Sequence, residues 1–178
     1  RKFQIKVAEE SRSSYITFVK KVWPDFVGGN HHKIYAQKLE DVSRGKIKRL
    51  IVNMPPRHTK SEFASHLFPA WMMGRNPKLK IIQTTHTAEL SYNFGRKVRN
   101  LFDQQEFKEV FPDVSLSQDS KAAGRFTTNK GGEYFAAGVG GAITGRGADI
   151  LIIDDPHSEQ DALSQDLDNV CNLAVLLL

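Results

Sequence analysis

The residues best suited to chemistry lie between Ile51 and Ser61, in the order I-V-N-M-P-P-R-H-T-K-S. An apolar strand leads into a turn that ends in Lys60 and Ser61, and a helical pattern begins at once. This order predicts a phosphate-binding loop, in which backbone N–H groups and a helix N-terminus hold phosphate oxygens. The common pattern has glycines where Met54 and Thr59 stand here, so the loop alone does not decide the function.

Within this loop, Lys60 would neutralise phosphate charge and the Ser61 hydroxyl would bind Mg²⁺. The sequence therefore predicts a site for ATP and Mg²⁺. The residues expected to contact the nucleotide are Pro55, Pro56, Arg57, His58, Thr59, Lys60 and Ser61.

A second run, D-I-L-I-I-D-D-P at residues 149–156, predicts a buried strand that ends in paired carboxylates. Asp154 would hold the metal ion, directly or through water, and Asp155 would orient or deprotonate the attacking water. Taken alone, the run also fits a core strand with a solvated acidic turn. The two runs in this order, with helical patterns between them, favour the nucleotide site.

Composition narrows the class of protein. The 178 residues are 40% hydrophobic and 25% charged, which is typical of one globular domain with a real core. The net charge of +5 suits a polyanionic partner, although many proteins without one share it. The single cysteine, Cys171, excludes an internal disulfide framework and fits a cytosolic protein. No apolar run approaches the roughly 20 residues of a membrane span.

Both ends of the chain predict a fragment of a longer protein. Residue 1 is not methionine, and the apolar run from Leu173 to Leu178 lacks a helix stop signal. We expect residues 1–45 to form a helical lead-in and residues 46–178 to form the core of the domain.

Periodic patterns predict the elements that must position the site. Helices are expected over Glu9–Val22, over a segment from Ile34 to Val42, over Ser61–Met73 with a kink at Pro69, and over Thr87–Phe102. Strands are expected at Leu50–Met54, Leu79–Thr84 and the acidic run, and a hairpin at Arg125–Thr128 and Glu133–Ala137. This alternation predicts an α/β three-layer domain with a largely parallel sheet.

A glycine-rich loop at residues 138–147 leads into the acidic strand. Its G-x-G start does not indicate a dinucleotide site, because that motif follows a strand and opens a helix.

Three motifs together resemble a known family, the N-terminal ATPase domain of phage terminase large subunits, which pump DNA into procapsids. The motifs are P-P-R-H-T-K-S-E-F at residues 55–63, T-T-H-T at residues 84–87 followed by a basic helix, and residues 144–156. The resemblance implies a P-loop NTPase-like fold of the helicase/terminase branch. It also implies that the family's C-terminal nuclease domain is absent from this chain.

The resemblance adds roles for single residues. It implies that Arg57 acts as an arginine finger on the γ-phosphate, where the alternative is a surface arginine beside two prolines. The sequence also departs from the family pattern at two positions. Thr59 replaces a glycine and would crowd the phosphate, and Asp155 replaces the more common Glu, so hydrolysis would be slow or assisted by Glu159.

The basic helix resembles the segment that couples nucleotide state to DNA in related motors, although its basic face also fits a solubility role. The candidates for sequence-independent contact with the DNA backbone are Arg96, Lys97, Arg99 and Arg146.

The resemblance implies a Mg-dependent ATPase that moves double-stranded DNA as a homo-oligomeric ring. Its expected partners are a portal protein and a terminase small subunit, and its expected location is the host cytoplasm, transiently docked on the procapsid. Two alternatives remain open: a helicase-like or remodelling ATPase, and a non-hydrolysing DNA-binding or scaffold module with a degenerate phosphate loop. The family's coupling motif should follow on a strand after the acidic one, and no such strand is evident from the sequence.

Overall fold

The computed structural model describes the backbone of residues 2–141, 143, 145–157 and 173–177. It describes the side chains of residues 5–119, 122–141, 143 and 145–157. Glu159, Cys171 and Leu178, named above, lie outside the described part, as does Thr144, the first residue of the third motif.

The described elements alternate in type along much of the chain. The helices are α1 (Lys2–Ser13), α2 (Tyr15–Val22), α3 (Asn30–Ser43), a π-helix (Glu62–Leu67), α4 (Phe68–Arg75), α5 (Ala88–Leu101) and α6 (Gln105–Val110). The strands are β1 (Arg49–Asn53), β2 (Lys80–Thr85), β3 (Leu116–Ala122), β4 (Arg125–Thr128), β5 (Glu133–Gly138), β6 (Ile150–Asp154) and β7 (Leu173–Leu177).

The strands of the described part form one seven-stranded sheet in the order β1-β7-β6-β2-β5-β4-β3. Strand β2 pairs in parallel with β5 and with β6, and the other four adjacent pairs are antiparallel. The α/β class is therefore confirmed, and the prediction of a largely parallel sheet was wrong. The antiparallel pairs arise because β3, β4 and β5 follow one another through short turns, and because β7 runs against both of its neighbours.

The described helices cover one face of this sheet. Side chains of a strand alternate between faces, and the register places Ile81, Ile152 and Tyr134 on the same face, in the core shared with the helices. On the opposite face Ile51 is 64% exposed and Ile153 is half-buried, whereas Ile82 and Ala137 at the centre of the sheet are buried. The described residues thus form a helical layer on a sheet, and the predicted third layer is not found among them.

The first predicted helix, Glu9–Val22, is two helices that separate at Ser14. Ser14 has extended backbone angles, and its hydroxyl accepts a hydrogen bond from the Thr17 N–H at 3.4 Å. The Glu40 carboxylate of α3 accepts the Tyr15 N–H at 2.8 Å. These bonds satisfy N–H groups at the start of α2, which explains why the break is stable.

A single aromatic core joins the N-terminal helices to the rest of the chain. The Tyr15 ring of α2 packs within 5.7 Å, centroid to centroid, of Phe63, Phe68 and Trp71. All four side chains are fully buried. Residues 1–45 therefore contribute directly to the core that supports the loop after β1.

The helical run after that loop begins as a π-helix and continues as α4. The Phe68 N–H bonds to the Phe63 carbonyl, five residues back, and Pro69 lies in the first turn of α4. The sequence predicted an α-helix over Ser61–Met73 with a kink at Pro69. The irregularity instead precedes the proline, which is tolerated in a first helical turn.

Candidate functional site

The loop between β1 and the π-helix encloses one side of a cavity of about 540 Å³. All seven loop residues from Pro55 to Ser61 line this cavity, together with Met54, Glu62 and Asp155. The structure therefore brings the predicted loop and one of the two predicted acids to a common space.

The acids at the end of β6 meet Lys60 at the floor of the loop. The Lys60 ammonium hydrogen-bonds to the Asp155 carboxylate and lies 3.3 Å from Asp154 Oδ1. Lys60 is 6% exposed and Asp154 is 1% exposed, so both charges are buried. Burial of a charge is costly unless it is paired, and this contact pairs the two buried charges. The two distant sequence runs thus converge.

Asp154 is also held from the opposite side. The Ser65 hydroxyl of the π-helix donates a hydrogen bond to Asp154 Oδ2 at 2.7 Å. Asp154 Oδ1 has no hydrogen-bond partner among the described residues. The sequence patterns did not identify Ser65, although a serine amid Phe63, Ala64 and Leu67 in a buried helical run is itself a signal, because buried hydroxyls need partners.

The backbone of the site is strained at three residues. Arg57, Thr59 and Asp155 have φ angles of 64°, 64° and 45°, in the left-handed region that favours glycine. Each such residue costs about 1–2 kcal/mol, most clearly for the β-branched Thr59. Thr59 therefore adopts the conformation for which the common loop pattern uses glycine, while keeping its Cβ.

Hydrogen bonds around Thr59 hold this conformation in place. The Gly29 N–H donates to His32 Nδ1 at 2.8 Å, which leaves the ring proton on Nε2. His32 Nε2 then donates to Thr59 Oγ1 at 2.8 Å, and the Thr59 hydroxyl donates to the His58 carbonyl at 2.6 Å. Burial, and then the charges of His31 and His58, lower the pKa of His32, so the neutral ring is favoured.

We expect Thr59→Gly to be about 1 kcal/mol more stable than Thr59→Ala, the reverse of the order in a helix. Both variants lose the bond to His32, but only alanine retains the left-handed strain of about 1–2 kcal/mol. Glycine loses roughly 0.4–1 kcal/mol of this advantage, because it increases the conformational entropy of the unfolded chain. Urea unfolding of the two variants measures the difference. Equal stabilities would mean that the loop relaxes to another backbone conformation in solution.

Glu62, at the edge of the cavity, links the π-helix to α5. Its carboxylate accepts hydrogen bonds from His66 Nδ1, at 2.8 Å, and from the Lys97 ammonium. Burial alone would raise the pKa of Glu62, but the hydrogen bonds from His66 and Lys97 outweigh it and lower this pKa to about 2.

This lowered pKa predicts a pH-dependent stability. Because the folded pKa lies below the usual 4.5, Glu62 stabilises the fold at pH above 4.5, and its contribution is lost as the pH falls from 4.5 towards 2. We expect wild type to exceed Glu62→Gln in stability by a constant amount above this window and to converge with it inside the window. Urea unfolding midpoints of both proteins across pH 2–7 test this. A stability difference between the two proteins that does not change with pH would contradict the lowered pKa of Glu62.

The predicted DNA-contacting residues do not form one surface. Arg96 is exposed on α5, but Lys97 is engaged by Glu62, and the Arg99 guanidinium donates to Asn100 Oδ1 at 3.1 Å. Arg146 stacks over the Phe135 ring at 4.0 Å. The Phe135 side chain lies on the sheet face opposite to the one that α5 covers, so Arg146 is separated from the α5 group by the sheet.

One feature of the site fits a divalent cation. Asp154 Oδ1 is a buried anionic acceptor without a hydrogen-bond partner in the described part, and Ser61 lines the cavity beside Lys60. Within the described ranges no cluster of three or more His, Cys, Asp or Glu side chains could hold a metal by itself. Asp154 and Ser61 are therefore the described residues that could contribute oxygens to a divalent ion at this place.

No protein-family model, curated protein or solved structure matches this chain. Among the described helices, none is both long enough and apolar enough to cross a membrane.

Proposed function

We propose that this chain is an ATP-hydrolysing motor domain that acts on double-stranded DNA. The observation that carries the proposal is the convergence of the Lys60 ammonium with Asp154 and Asp155 at the floor of a loop-lined cavity. A cation, a metal-binding carboxylate and a second acid at one point are the set that phosphoryl transfer to water requires.

In this proposal each site residue has one task. Lys60 and the loop amides bind the β- and γ-phosphates, and Ser61 and Asp154 hold Mg²⁺, which would neutralise charge on the phosphate oxygens. Asp155 accepts a proton from the attacking water as the water oxygen bonds to the γ-phosphorus and the bond to ADP breaks. Arg57 is exposed at the cavity and would contact the charge that develops on the transferred group.

Lys60 must change partners when the nucleotide binds. Its ammonium now compensates both acids, and phosphate oxygens would compete for it. Asp154 would then be compensated by the divalent ion that it would hold. The exchange keeps every buried charge paired, which is the condition for it to occur at low cost.

The resemblance to terminase large subunits makes DNA packaging the preferred role for such a motor. We assign the P-loop NTPase-like fold of the helicase/terminase branch on the same basis. The mixed sheet departs from the parallel order that was expected. Portal protein, terminase small subunit and ring assembly at the procapsid remain expectations from that resemblance.

A second candidate is a DNA-binding or scaffold module that does not hydrolyse nucleotide. The positive φ angle of a β-branched residue, Thr59, favours this candidate, because the loop is strained before any phosphate is bound. A third candidate, a helicase-like or remodelling ATPase, uses the same site and differs in its action on DNA.

Equilibrium binding of ATP with and without Mg²⁺, followed by phosphate release with and without duplex DNA, tests the proposal. We expect Mg²⁺-dependent binding and turnover that duplex DNA stimulates without separating its strands. Strand separation would favour the helicase. DNA binding by a protein that is indifferent to ATP would favour the scaffold.

A further inference from the structure

The carboxylate of Asp154 is fixed by a residue outside the phosphate loop. Ser65 is completely buried, and its hydroxyl lies 2.7 Å from Asp154 Oδ2. One carboxylate oxygen thereby has a hydrogen-bond partner, and rotation of the group is restrained. The other oxygen, Oδ1, remains 3.3 Å from the Lys60 ammonium, so it faces the floor of the loop.

The π-helix explains how this serine reaches the acid. Ser65 lies in the middle of Glu62–Leu67, where the wider turn is closed by the bond from the Phe68 N–H to the Phe63 carbonyl. A serine inside a helix commonly bonds to its own backbone one turn back. Ser65 bonds across to β6 instead, and single-turn π-helices of this kind recur at functional sites.

Ser61, four residues earlier in the same helical run, has a different environment. It is half-buried, lines the cavity, and its hydroxyl bonds to no described residue. The hydroxyl that the loop pattern would use is therefore available, while Asp154 takes its hydrogen bond from Ser65. Two serines one turn apart thus have separate surroundings and can have separate tasks.

We propose that Ser65 is a positioning residue that holds Asp154 so that Oδ1 faces the divalent ion of the bound nucleotide, leaving Ser61 to ligate that ion. The proposal rests on the proposed function. Outer hydrogen bonds of this kind orient metal-binding groups, and their removal commonly lowers metal affinity by about 10–100-fold.

The test uses Ser65→Ala and titrates Mg²⁺ in the presence of β,γ-imido-ATP, with Ser61→Ala as the comparison. We expect Ser65→Ala to raise the Mg²⁺ concentration for half-maximal binding by about 10–100-fold. Its affinity for the nucleotide without Mg²⁺ should stay within about twofold of wild type, because the loop and Lys60 are intact. Ser61→Ala should show the same pattern through loss of a direct ligand.

Ser65→Cys guards against a purely structural effect, since it fills nearly the same volume with a weak donor. We expect it to match wild type in thermal unfolding midpoint while still requiring more Mg²⁺ than wild type. If the serine serves only in packing, Ser65→Cys or a folded Ser65→Ala will show the wild-type Mg²⁺ dependence, and the inference is then wrong. A wild-type protein that binds no nucleotide would instead overturn the proposed function, and the inference with it.

Discussion

Asp155→Asn is expected to slow ATP hydrolysis by about 10²–10⁴-fold while nucleotide binding persists, because a general base contributes about that factor. The amide cannot accept the proton of the attacking water, but it keeps the size of the side chain. Asparagine also tolerates a positive φ angle, so the backbone at 45° should be retained. Removing the negative charge beside the γ-phosphate should leave the affinity for ATP unchanged or higher.

Phosphate release under single-turnover conditions measures this effect separately from binding. Asp103→Asn is the matched control, because Asp103 is 78% exposed and does not line the cavity. It should hydrolyse ATP at the wild-type rate. Wild-type turnover by Asp155→Asn would remove Asp155 from the reaction and would point to another base.

Lys60→Ala is expected to have two large effects. Loss of a charge-assisted bond to phosphate, about 1.5–3 kcal/mol, should weaken ATP binding by roughly 10- to 100-fold. Removal of one member of a buried ion pair should also destabilise the fold by about 3–5 kcal/mol, because Asp154 keeps a buried, unpaired charge. Isothermal titration and urea unfolding measure the two effects.

A double variant separates these effects. Lys60→Ala combined with Asp154→Asn removes the unpaired charge, so most of the lost stability should return, whereas ATP binding should not. Lys130→Ala, on an exposed turn far along the chain, is the control for the loss of a lysine. ATP binding by a stable Lys60 variant at the wild-type affinity would contradict the nucleotide site and favour the scaffold candidate.

The elements that sequence patterns predicted well are those fixed by local signals. The helix expected over Thr87–Phe102 is α5, Ala88–Leu101, with the Thr87 hydroxyl accepting the Leu90 N–H at 3.2 Å as its cap. The hairpin of β4 and β5 was predicted from the turn at residues 129–132, where Gly131 has a φ of 88°. Helix caps and turns can be predicted from a short stretch of sequence, because they depend on neighbouring residues.

The features that were missed depend on partners far away in the chain. The break at Ser14 is stabilised by Glu40, and the π-helix places Ser65 against Asp154. No strand was predicted at residues 173–177, where β7 pairs with both β1 and β6. Hydrophobic periodicity cannot predict which distant segments pair, because the same apolar run suits a parallel or an antiparallel partner. The loop and the acids were still located, since each lies at the end of a strongly apolar strand.

The position of β7 has a consequence for how the site comes into being. Strand β1, which leads into the phosphate loop, reaches the acidic strand β6 only through β7, and β7 is the last described strand in chain order. On the ribosome, Lys60 therefore emerges long before the strand that joins its own strand to that of the acids. We expect the nascent domain to leave β1 and β6 unjoined until residues 173–177 have left the exit tunnel, an interval in which unpaired strand edges favour aggregation.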